Sequence, residues 1–183
     1  MTQHEDRKTI LHFAYGADMN PQQIAERCSW AKPVAVARLP DHALSFHGHS
    51  DTWDGGEEAA VPRPGQDLYG VVYRLSLSDA DSLDAAQGVR LNGTGGYFHV
   101  PAEVIGLDGI RWSVVLHRKD VLREFRCPSR DYLDFIVAGA EFHGLPQTYV
   151  DSLRRTATRA ARYPVPRRAL EQFRILATSS CAC

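Results

Sequence analysis

The chain has 183 residues, 44% of them apolar and 23% charged, which suits one shared core and excludes disorder, collagen and coiled coil. Its 22 acidic and 21 basic residues leave a formal charge of -1. With no overall field to draw in nucleic acid or an anionic membrane, a small, roughly neutral ligand is expected. No apolar run approaches the roughly 20 residues that span a bilayer, and the start MTQHEDRKTI is charged and polar, so a cytoplasmic protein is expected. The alanine- and arginine-rich composition fits a bacterial source.

In chain order, Ile10-Leu11-His12-Phe13-Ala14-Tyr15 is a short apolar run rich in strand formers, and Gly16 ends it in a turn. Asn20 and Pro21 supply an N-cap and first-turn proline for a helix through about Arg27. Strands are expected at 33–38, 42–47 and 68–75, where β-branched and aromatic residues dominate. Ser78 and Asp81 resemble a capping box for a helix over 79–86, anchored by Leu83 and stopped by Gly88. Strands follow near 97–105 and 111–117. Ser129 then caps a helix over 130–143, in which Tyr132, Phe135, Ile136 and Ala140 recur at helical spacing, and Gly144 ends it. A last helix is expected from Pro146 to about Arg162, with Val150, Leu153 and Ala157 on one stripe. Residues 1–8 and 164–183 read as peripheral. Strands early and helices late indicate an α+β domain whose mixed or mostly antiparallel sheet closes into a barrel.

Asn92-Gly93-Thr94-Gly95-Gly96 precedes a strand rather than a helix and reads as a turn, not a phosphate loop. His47 and His49 share one side of a strand but have no third ligand at an obvious spacing, so they read as a surface pair. Cys28, Cys127, Cys181 and Cys183 form neither a C-x-x-C pair nor a zinc pattern, and free thiols are expected. Two segments carry more chemistry. Phe13 to Pro21 is a strand, a glycine turn and a capped helix start, which leaves backbone N–H groups free for a carboxylate or a developing oxyanion. Leu83 to Val89 is a helix end with a polar side chain, Gln87, followed by a glycine that permits close backbone approach.

Together these segments resemble the gamma-glutamylcyclotransferase-like, or AIG2-like, family. The first family motif, approximately aromatic-x-Tyr-Gly-Ser-Asn-Leu/Met, is matched by Phe13-Ala14-Tyr15-Gly16-Ala17-Asp18-Met19 with its serine and asparagine changed. The second, Leu-Asp-x-x-Glu-Gly-Val, is matched by Leu83 to Val89 with Gln87 in place of the glutamate. The likeness continues at Trp53-Asp54-Gly55-Gly56, Tyr69 to Tyr73, Gly96-Tyr97, Tyr132 to Ala140 and Gly144-Leu145-Pro146, spanning about residues 10–153. The resemblance implies a small mixed β-barrel with flanking helices, no metal and no organic cofactor. It also implies cleavage of γ-glutamyl amides into 5-oxoproline and a free amine. A homodimer is one oligomeric state the sequence admits.

In that reaction the substrate's own α-amine attacks its γ-carbonyl, so the protein supplies folding of the glutamyl chain, an oxyanion site and proton transfer. The resemblance assigns the proton to the carboxylate at position 87. It assigns the substrate-binding turn to Tyr15, Gly16, Ala17, Asp18 and Met19, and wall or hydrogen-bonding roles to Tyr97 and Tyr132. Gln87 keeps the shape of a glutamate but cannot titrate near neutrality. Three readings follow from it: a deliberate Glu-to-Gln replacement, made to trap substrate in a crystal, that leaves an impaired enzyme; a γ-glutamyl-binding or regulatory protein on the same fold; or an enzyme using another base such as Asp18 or Glu103. An amidase with Cys28 or Cys127 as nucleophile is a separate alternative.

Overall fold

The computed structural model describes residues 8–90, 95–119 and 121–167. Side-chain alternation in strand β1 (Thr9–Ala14) and its continuation sends Phe13 and Tyr15 to one face and Ala14 to the other. Strand β3 (Gly55–Ser76) alternates likewise, with Ala60, Leu68 and Val72 on the first face and Val71, Tyr73 and Leu75 on the second. The first set joins Ala37, Leu39, Val104, Val114 and Leu116 in one cluster; the second packs with the helices. Strands β2 (Lys32–Ser50), β4 (Tyr97–Gly106) and β5 (Arg111–Lys119) complete a closed barrel in the order β1-β3-β2-β4-β5. Neighbours are antiparallel except for a parallel contact between β1 and β5 at His12 and Val115. The expected α+β barrel is thus what the chain forms.

The strands expected at 33–38 and 42–47 are one long strand with an irregularity at Asp41, whose φ is 56°. Its partner β3 begins thirteen residues before the expected Leu68, because 55–62 pair with 42–50. Another segment, 126–129, crosses this arm and packs on it. A Cβ on Gly56 would lie 2.1 Å from the carbonyl oxygen of Arg126, and the Gly56 N–H donates to Cys127 O at 3.1 Å.

Helix α1 (Pro21–Arg27) starts as expected, with the Asn20 side chain accepting from Gln22 N. Helix α2 (Leu77–Gln87) begins earlier than the expected box at Ser78 and Asp81. Ser76 is the cap, accepting from Asp79 N at 3.1 Å and donating to the Asp79 carboxylate at 2.8 Å. That carboxylate also accepts from Ser29 N and Trp30 N, so the register two residues upstream satisfies more donors. Gly88, at φ 73°, ends the helix. Helix α3 (Arg130–Phe142) is capped by Ser129.

The last helix, α4 (Gln147–Arg154), is shorter than the expected reach to Arg162. Beyond it, Arg130 N donates to Arg159 O, and the side chains of Arg159 and Arg162 bond Asp54. Residues 159–162 thus take long-range partners in place of helical ones. No helix among the described residues is long and apolar enough to cross a membrane.

Candidate active site

After β1 the chain makes one 3-10 turn, Ala17–Met19, closed by Met19 N to Gly16 O at 3.0 Å and Asn20 N to Ala17 O at 2.9 Å. A turn of this kind pairs its last N–H groups and leaves its first ones without intrahelical partners. Asp18 is buried but turned away from those donors. Its carboxylate accepts from Arg27 Nη1 at 2.7 Å and from Gln23 Nε2 at 3.0 Å. The same Arg27 Nη1 donates to Gln87 Oε1 at 3.2 Å. One guanidinium from α1 therefore ties the turn to the end of α2.

Gln87 faces two cavities. The larger, about 120 Å³, is lined by Ala17, Arg27, Trp53, Glu58, Tyr97 and Tyr132 besides Gln87. The smaller, about 20 Å³, joins Gln87 and Glu58 to Tyr15, Gly16, Asp18 and His117. Both motifs thus meet across one space. Tyr132 is buried and stacks on Trp53 with ring centroids 4.8 Å apart. Tyr97 is buried, its hydroxyl donating to Glu58 O at 2.8 Å and its ring lying under Lys119 Nζ at 4.4 Å. A third cavity of about 840 Å³ adjoins the larger of the two, sharing Glu57 with it and lined by His47, Lys119, Arg123 and Phe125 among others.

Glu58 is the group that the sequence reading missed. It lies on the arm of β3 that was not expected to be a strand. Its carboxyl is pushed up to about 7, first by burial and then by the negative charge of Asp18. A Cβ on Gly16 would sit 2.6–2.7 Å from Glu58 Cγ, Cδ and Oε1, so glycine is required where this side chain crosses the turn. The adjacent Glu57 is instead ion-paired with Lys119. A carboxylate pair entering a strand directly after two glycines is the signal available in the sequence, and it is readable only once the strand is known.

Gly16, Ala17, Asp18, Gln87, Tyr97 and Tyr132 come together at these cavities. Two residues of the expected turn are used differently. Met19 is fully buried in the core and lines neither cavity. Tyr15 lines the smaller one, but its hydroxyl donates to His117 O at 2.6 Å, a bond between strands. The alternative base Glu103 is exposed and ion-paired with Arg111, lining neither cavity. Cys28 is buried with its thiol pushed up to about 12 by that burial, and it donates to Asp79 O at 3.6 Å. A thiol that holds its proton at neutral pH is a poor nucleophile. Cys127 is half-buried and free; Cys181 and Cys183 lie outside the described residues, as do Asn92, Gly93 and Thr94.

His47 and His49 do not act as a pair: Gly48, at φ 68°, breaks the alternation between them. His47 bonds Ser45 and Arg123 O, while His49 lies 3.3 Å from Asp51. Among the described residues the one group with metal-ligand character is Asp84, His99 and His117, whose donor atoms lie within 4.8 Å of one another. The two imidazoles are parallel, stacked 5.3 Å apart, and both reach Asp84 Oδ1, at 2.6 and 2.8 Å. Through these two bonds the cluster joins α2 to β4 and β5.

A family model described as the AIG2-like family matches residues 67–153. A mouse protein named gamma-glutamylcyclotransferase is 31% identical over 156 residues, covering 82% of this chain and 80% of its own length. Its human counterpart of the same name is 31% identical over 155 residues, covering 81% and 79%. A solved structure titled gamma-glutamyl cyclotransferase superposes with a TM-score of 0.81 at 29% identity, covering 93% of this chain and 99% of that one. Both of these named relatives are mammalian and lend no support to the bacterial source that the composition suggests.

Proposed function

Because the chain belongs to the AIG2-like gamma-glutamylcyclotransferase family, we propose that it cleaves a γ-glutamyl amide into 5-oxoproline and a free amine. The observation that carries this reading is the cavity of about 120 Å³ that Ala17 of the turn and Gln87 line together. A glutamyl group held there is forced to fold, which brings its α-amine against its γ-carbonyl. Pre-organisation of this kind is worth up to roughly 7–11 kcal/mol in favourable intramolecular reactions. The backbone N–H groups of Gly16, Ala17 and Asp18 take the substrate carboxylate or the developing oxyanion. Arg27 neutralises Asp18, so that anion is not repelled. Tyr97 and Tyr132 form the walls, and the leaving amine extends toward the larger cavity beyond Glu57.

Gln87 stands beside the reacting atoms as a hydrogen-bonding amide. Its oxygen accepts from Arg27, and its side chain also hydrogen-bonds Tyr97, which holds the amide in place at the cavity. The same residue favours a second reading, a catalytically silent γ-glutamyl-binding protein, because an amide cannot relay a proton. A panel of glutathione, γ-glutamyl amino acids and γ-glutamyl amines, assayed for 5-oxoproline with the natural chain and with Gln87→Glu, separates the two. Release by the natural chain is the expected result. Binding by calorimetry without release, together with release by Gln87→Glu, establishes the binding protein. No release by either form refutes the cyclotransferase reading.

A further inference from the structure

The reaction needs a group that accepts a proton from the attacking nitrogen and returns one to the leaving nitrogen, and position 87 does not provide it. Three carboxylates line the two cavities that Gln87 faces: Asp18, Glu57 and Glu58. Asp18 is held by Arg27 and Gln23, and Glu57 by Lys119. Glu58 alone of the three lines both cavities, and among the described residues no ion pair engages it. It is 7% exposed and presses against Gly16 at the mouth of the proposed oxyanion turn. Its backbone is fixed from two sides, by its pairing opposite Phe46 in β2 and by the Tyr97 hydroxyl on its carbonyl.

We propose that Glu58 is the catalytic residue that carries the proton in this chain, taking the task that Gln87, in the same pocket, cannot perform. The proposal rests on the γ-glutamyl amide reading above. The neutral α-amine attacks the γ-carbonyl carbon; a C–N bond forms and the carbonyl π pair moves to oxygen. The proton shed by the attacking nitrogen goes to the Glu58 carboxylate. As the oxyanion re-forms the carbonyl, the bond to the leaving nitrogen breaks and Glu58 returns the proton to that nitrogen. The carboxylate is regenerated, 5-oxoproline and the amine are the products, and no co-reactant is consumed.

The charged and titratable groups facing Glu58 are Asp18 on the 3-10 turn, Arg27 on α1, Glu57 on its own strand, His12 on β1, Tyr15 just after it, Tyr97 on β4 and His117 on β5. Burial and the acidic neighbours outweigh Arg27, which places the carboxyl where both of its forms are populated at neutral pH.

The test compares 5-oxoproline release by the natural chain, Glu58→Gln, Glu58→Asp, and Glu58→Gln combined with Gln87→Glu, using the most reactive amide of the panel. Removal of general acid–base help is expected to lower kcat about a hundredfold or more in Glu58→Gln, with calorimetric binding of the amide retained. The limb of kcat/KM that rises toward pH 7 in the natural chain is expected to flatten in that variant, Glu58→Asp to retain an intermediate rate, and the double variant to recover at least tenfold. Turnover by the natural chain with an unchanged rate and pH profile in Glu58→Gln overturns the role of Glu58 and leaves the cyclotransferase reading standing. Turnover only when glutamate is placed at 87 overturns it in favour of the binding protein. No turnover in any form refutes both readings together.

Discussion

Replacing Glu58 with glutamine keeps the side chain's shape and removes its titration, so the variant measures what the buried carboxyl costs the fold. The carboxyl lies at about 7 in the folded protein against an ordinary 4.5, with burial the larger cause and Asp18 the next. At about 1.36 kcal/mol per tenfold displacement, ionising it in place costs about 3 kcal/mol. The folded chain keeps this proton to higher pH than the unfolded chain does. Stability present below about pH 4.5 is therefore lost progressively as pH rises toward 7 and stays lost above it. Glu58→Gln is thus expected to exceed the natural chain by under about 1 kcal/mol at pH 5 and by about 3 kcal/mol at pH 8. For a chain of this size the latter raises Tm by about 6–12 °C. Urea denaturation at the two pH values gives the difference directly. A gap of equal size at pH 5 and pH 8 would refute the claim that Glu58 is ionised against its surroundings, and with it the physical basis for a poised carboxyl in this pocket.

Arg27→Ala removes the partner of the buried Asp18 and the donor to Gln87. It is expected to cost about 2 kcal/mol in urea denaturation and to raise KM for a γ-glutamyl amide, since the Asp18 charge is then free to repel the substrate carboxylate. Gly16→Ala places a methyl group inside contact distance of the Glu58 carboxyl and is expected to cost about 1–3 kcal/mol. Adding Glu58→Ala to Gly16→Ala should restore the stability but not the turnover, and restoration of neither would show that the clash lies elsewhere. Asp54→Asn weakens the hold on Arg159 and Arg162, so tryptic cleavage after Arg155 should accelerate while the barrel's unfolding midpoint changes less. The arginines hold the Asp54 carboxyl far below the usual carboxylate range, Arg162 foremost. This stabilisation is present above about pH 4 and is lost only in strong acid, and equal cleavage rates in both forms at pH 7 would contradict it.

The elements legible in the sequence are those whose determinants are local. The run Ile10 to Tyr15, the Asn20-Pro21 start of α1, the Gly88 stop of α2 and the Ser129 cap of α3 each carry their signal within a few residues, and each holds in the structure. The segment 55–67 is different: Gly-Gly-Glu-Glu and Pro-Arg-Pro-Gly oppose strand formation locally, and pairing with β2 together with the crossing of 126–129 makes the strand anyway. The chain beyond α4 is likewise held by Asp54, about a hundred residues earlier in the chain. The same division runs through the site. The two motifs showed which turn and which helix end face the cavity, because backbone geometry is local. Which acid is free to move a proton is not local, since it depends on Arg27 from α1 reaching Asp18 and on Lys119 from β5 reaching Glu57. Those two pairs leave Glu58 as the unclaimed carboxylate among the three at the pocket. In the proposed reaction an amide at 87 therefore does not by itself abolish proton transfer: a strand lining the same pocket offers a carboxylate, provided burial keeps it near neutrality and no arginine or lysine captures it first.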